Sequence, residues 1–172
     1  MLKGPAGRVL TYGGIFVAAA LIQSAWLVRL QLWGAVFDPL LPLVVGIGIF
    51  SGSEAGAVAG ISAGLLVDLL GGATLGLHGL GLMVVGFAAG LFERSIYLED
   101  PLLPAVATFA ATVAAETLVR VVVVIAHLGP VPWPAVVWEI LAQGALNSAL
   151  APFAFRLVRT VEERFRKRYE EG

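Results

Sequence analysis

Cysteine is missing from this chain of 172 residues. Disulfides, thiolate metal sites and a cysteine nucleophile are therefore excluded. Charge is scarce too. Asp, Glu, Lys and Arg make up 13% of the residues, about half of the ~25% usual in soluble domains. Histidine occurs only at 78 and 127, without the i, i+4 pairing or clustering that a metal site needs. No P-loop and no nucleophile elbow can be found, so no catalytic residue, cofactor or metal ligand is assigned. The basic segment near the end is short and mixed in sign, which argues against nucleic-acid binding.

What is abundant is apolar. Hydrophobic residues make up 59% of the chain, and the mean hydropathy is +0.91. A soluble core of this size would leave large apolar patches in water, so the composition is that of an all-α integral membrane protein. Crossing about 30 Å of hydrocarbon takes roughly 20 residues. Six candidate spans lie near 9–28, 36–50, 55–70, 75–92, 102–126 and 134–155. Only SGSE (51–54) divides the second from the third, so a tight hairpin or one re-entrant pair fits there, with five spans as the fallback. The basic start followed by an apolar run has the order of a signal peptide. Its apolar stretch is longer than such signals use and more spans follow, so it is read as the first span.

Lys and Arg orient the chain. With six spans, Lys3, Arg8, Arg94, Arg156, Arg159, Arg164, Arg166, Lys167 and Arg168 share a side with both termini. Arg29 stands on the other side, and Arg120 falls within a span. Both termini are expected in the cytoplasm. The organisation is one bundle over 1–155 and an amphipathic helical tail over 156–172.

The third span carries Gly56, Gly60, Gly64, Asp68 and Gly72, four apart and hence on one helix face. Gly79, Gly86 and Gly90 follow in the fourth span. Small residues at this spacing let two helices approach closely in lipid, so tight packing of spans three and four is expected. Asp68 is the anomaly. A carboxylate near the outer end of a helix meets the negative end of the helix dipole. Inside a membrane it also costs about 2.5–3.5 kcal/mol on insertion scales unless it finds a partner. The break GGATLG offers backbone amides near Thr74 and Gly76; His78 and Arg29 are charged alternatives. A clasp for the turn and a ligand- or proton-handling role both fit these residues.

The run GLLVDLLGGATLGLH (64–78) resembles the signature of the MreD family of rod shape-determining membrane proteins. In that family a G-x-x-x-D-x-x-x-G-x-x-x-G core precedes a basic side chain, here Gly64, Asp68, Gly72, Gly76 and His78. FDPLLPLVV (37–45) is similar to the family's second span, with Asp38-Pro39 in the reverse of the usual order. LNSALAPFAFRLVRTVEERF (146–165) is similar to its last span and basic tail, with Asn147 and Pro152 in matching places. The resemblance implies a six-helix bundle similar to the substrate-binding components of energy-coupling-factor transporters. It also implies a non-enzymatic role in the bacterial inner membrane, in cell elongation and peptidoglycan synthesis. The partners it implies are an MreC-like protein, RodA and a class B transpeptidase directly or through MreC, and MreB indirectly.

Polar residues recur at four-residue spacing in the last two spans. The fifth has Thr108, Thr112, Glu116 and Arg120; the sixth has Glu139, Gln143 and Asn147. Glu116 four residues before Arg120 is the favourable order for an intrahelical pair. If the two helices are antiparallel neighbours, Arg120 and Glu139 both fall in the outer half and can meet. An interhelical polar seam, the lining of a cavity and a proton path are the three readings. In the tail, Val158, Val161, Phe165 and Tyr169 form a stripe between charges, suited to anchoring at an anionic leaflet or to docking a cytoplasmic partner. Two functions remain: an interaction protein of cell elongation, or the membrane-embedded substrate-binding component of a small-molecule transporter.

Overall fold

A computed structural model describes residues 5–25, 35–72, 74–92 and 102–170. Lys3, Arg29 and Arg94 lie outside the described residues. Among those described, six helices and no strand occur: α1 (Pro5–Ala25), α2 (Leu40–Ser51), α3 (Ser53–Gly71), α4 (Leu77–Leu91), α5 (Leu102–Ile125) and α6 (Trp133–Glu170).

The helix α2, LLPLVVGIGIFS, has no polar face. A helix that is apolar all round belongs inside, and every residue from Leu40 to Ile49 is buried. Its 12 residues rise about 18 Å, well short of the hydrocarbon thickness. The helices α3, α4, α5 and α6 pack around it. The close approach of α6 falls at Gly46, where a Cβ would stand 3.3 Å from Val158 Cγ2.

This helix starts at Leu40 and not near 36. The residue before a proline avoids the helical region, and the Asp38 carboxylate (Oδ1) accepts the Leu40 N–H at 3.0 Å. Its end is equally sharp. Gly52 adopts φ 89°, a left-handed backbone that favours glycine, and its N–H donates to the Gly48 carbonyl at 2.8 Å. One residue therefore separates α2 from α3, and the SGSE break is a tight hairpin between two distinct helices.

Around this centre, α1 turns Tyr12, Phe16 and Ala20 inward and leaves Val9, Leu10, Val17, Leu21 and Ile22 exposed. Large apolar side chains are also exposed along α3, α4 and α5, as suits helices whose solvent is lipid. Among the described residues, three stretches are long and apolar enough to cross a membrane: Gly7–Ala25, Ser53–Gly71 and Leu102–Ile125; α2 and α4 are apolar but shorter.

The sixth helix runs unbroken for 38 residues with Pro152 inside it. The division at 155 drawn from the sequence falls in mid-helix. Val158 and Val161 are buried in the same core as Tyr12 and Phe16. Next to Val161, Glu162 accepts a hydrogen bond from the Tyr12 hydroxyl at 2.6 Å and pairs with Arg8 at 3.0 Å.

Candidate functional site

The hairpin of α3 and α4 is built on backbone contact. Gly56 abuts the Gly86 carbonyl, Gly60 the Leu82 carbonyl, Gly64 the backbone of His78 and Gly79, and Gly90 the backbone of Gly52 and Ser53. Each of these positions has no room for a methyl group. Ala63, on the same face, is fully buried.

Gly72 differs from what the spacing suggests. It lies past the end of α3 with φ 65° and nothing near its Cβ position, so it closes the helix and packs against nothing. Gly76, with φ 90°, is likewise a turn residue at the start of α4. The periodicity of four continues beyond the helix that it describes.

Between these turn glycines the chain brings the start of α4 over Asp68. The Asp68 side chain is 0% exposed. Its Oδ2 accepts the Gly76 N–H at 2.8 Å; its Oδ1 accepts the His78 N–H at 3.3 Å and contacts His78 Nδ1 at 2.7 Å. No side chain within α4 caps its first turn. Asp68 supplies that cap from the preceding helix, meeting orphan N–H groups and the positive end of the α4 dipole together. The unfavourable end of α3 is thus offset by the favourable end of α4. Of the partners expected from sequence, Gly76 and His78 both reach Asp68, Thr74 is exposed and makes no bond to it, and Arg29 lies outside the described residues. The ring of His78, about a third exposed, leaves Nε2 facing away from the carboxylate.

The second polar cluster joins α5 and α6. Thr108, Thr112 and Asn147 are fully buried, and Glu116 nearly so. Asn147 donates through Nδ2 to Thr112 Oγ1 at 3.3 Å, and Gln143 through Nε2 to Glu116 Oε1 at 3.4 Å. Arg120 contacts Glu116 at 3.8 Å with a side chain about a third exposed, a loose pair. Glu139 is a correction: among the described residues it forms no ion pair with Arg120. It stands one turn beyond Gln143, and Glu116 on Arg120's own helix is the nearer carboxylate.

Asp38 was seen in the sequence only as half of a reversed dipeptide. In the structure its backbone N–H donates to Asn147 Oδ1 at 2.9 Å, while its carboxylate starts α2. Asn147 thereby ties α2, α5 and α6 together. The Asp38-Pro39-Leu40 order, a capping residue and a proline before an apolar run, is the signal that marks this helix start.

These features define an all-helical membrane protein with a fully buried carboxylate, Asp68, at a glycine-packed hairpin. A family model described as rod shape-determining protein MreD matches residues 8–161, a stretch that takes in the hairpin, the Asp68 cap and the polar cluster. The chain belongs to the MreD family, and so to the rod shape-determining membrane proteins. Among curated proteins and solved structures nothing matches it.

Proposed function

We propose that the chain serves cell elongation as a non-enzymatic organiser in the bacterial inner membrane, holding an MreC-like protein beside RodA and its class B transpeptidase. MreB filaments are reached indirectly, and both termini face the cytoplasm. The family match over 8–161 carries this reading. The lysine and arginine distribution supports the orientation. Support for organising over small-molecule binding comes from the buried polar groups: Asp38, Asn147 and Thr112 are spent on one another, and Asp68 is spent on α4.

The decisive experiment is co-purification from membranes in mild detergent. Recovery of an MreC-like protein is the expected result. Recovery of transporter ATPase subunits without it would replace this reading with that of a transporter's substrate-binding component.

A further inference from the structure

The apolar edge of the last turns of α6 is already used. Val158 and Val161 are buried, and Phe165 packs against the same core. A helix that lies flat on a membrane needs such an edge for the acyl chains, so this segment does not lie flat. It is braced against α1 by Glu162, which holds Arg8 and Tyr12. The rest of the surface of these turns carries Arg156, Arg159, Arg164 and Arg166, all exposed. Arg159 pairs with Glu163 at 2.8 Å. Arg156, Arg164 and Arg166 make no ion pair among the described residues.

The brace also sets a level. Arg8 stands at the edge of the apolar stretch Gly7–Ala25, and Glu162 stands beside it. At 1.5 Å per residue, Arg156 lies about 9 Å to the membrane side of that level and Arg166 about 6 Å beyond it. The interfacial layer of one leaflet is roughly 5–8 Å thick, and arginine side chains on its inner side reach back to it by snorkelling. A soluble acidic protein cannot reach the Arg156 end of this band, whereas lipid headgroups meet all of it.

We propose that the exposed face of α6 from Arg156 to Arg166 binds anionic phospholipid headgroups, so that the brace to α1 presents a basic collar to the surrounding leaflet. This rests only on the chain being embedded in a membrane. A negative result here leaves the co-purification test of the proposed function untouched.

The test uses the full chain in nanodiscs of phosphatidylcholine with a minority of phosphatidylglycerol, and reads the lipids retained by native mass spectrometry. Phosphatidylglycerol should be enriched over its bulk share, and the enrichment should fall with added salt. In R156Q/R164Q/R166Q it should drop by up to about five-fold per arginine removed; R156K/R164K/R166K should keep it. All three positions are exposed, and equal melting temperatures check the fold. Equal enrichment in the Gln variant and the parent, or none in the parent, overturns the proposal. So does a Gln variant that keeps its lipids and loses an acidic protein partner, because the face would then be a protein-docking surface.

Discussion

The hairpin of α3 and α4 and the pair of α5 and α6 solve one problem in opposite ways. Lipid tails are as apolar as leucine, so helices in a membrane gain little by hiding apolar surface from them. The first pair removes side chains until backbones touch, at Gly56, Gly60, Gly64 and Gly86, and places its polar group at the turn. The second keeps its side chains and threads buried polar groups between them, at Thr112, Glu116, Gln143 and Asn147. Backbone contact tolerates no added atom. A polar thread tolerates substitution wherever a group is loosely held or close to water. The two regions should therefore fail differently.

The largest effect is expected at Gly60. Leucine there would drive Cβ into the Leu82 carbonyl. Backbone atoms cannot move aside as a flexible side chain would, so the helices must separate, at a cost above the ~1–3 kcal/mol typical of overpacking. Gly60→Leu should abolish a cooperative melt in detergent, while Gly13→Leu, which meets open space, should melt like the parent. Similar melts for the two variants would remove the backbone-contact account.

Asn147 comes next. Asn147→Leu keeps the volume and removes both hydrogen bonds; the Asp38 N–H loses its acceptor, while the Thr112 hydroxyl keeps its bond to the Thr108 carbonyl. Buried groups left unpaired cost about 1–3 kcal/mol each. A fall of about 1–3 kcal/mol in detergent unfolding is expected, together with faster amide exchange at the start of α2. Unchanged exchange there would mean that Asn147 does not hold the α2 start.

Arg120 should matter less. It is about a third exposed and 3.8 Å from Glu116, so Arg120→Leu should cost about 1 kcal/mol. Arg159→Leu, at a position 61% exposed, should stay within about 0.5 kcal/mol of the parent. Equal losses in the two variants would show that the α5–α6 thread owes nothing to Arg120.

Several of these features could be read from sequence because they obey helical spacing. Gly56, Gly60 and Gly64 announce a close-packed face, and GGATLG beside Asp68 announces amides for a carboxylate. Spacing says nothing of where a helix stops, which is why Gly72 looked like a packing glycine and is a turn residue. Nor does it reveal pairings across the chain. Asp38 and Asn147 are 109 positions apart, and no local pattern joins them. The stripe of Val158, Val161 and Phe165 was visible as a stripe, but whether it meets lipid or α1 depends on where the first helix lies. The enclosure of α2 was written in its lack of any polar residue before Ser51, yet a short apolar run reads equally as a membrane span.

The central claim is that Asp68 acts as a hydrogen-bond acceptor that caps α4, and rod-shape complementation in a depletion strain tests it most directly, with membrane levels measured alongside. Asp68→Asn keeps an acceptor oxygen for the Gly76 or His78 amide, and its NH2 group suits the other tautomer of His78. It should restore rod shape in large part. Asp68→Leu leaves those donors unpaired, at about 1–3 kcal/mol each where buried, and should fail with a reduced membrane level. If Asp68→Asn fails while present at the normal level, the carboxylate acts through its charge and the capping account is wrong.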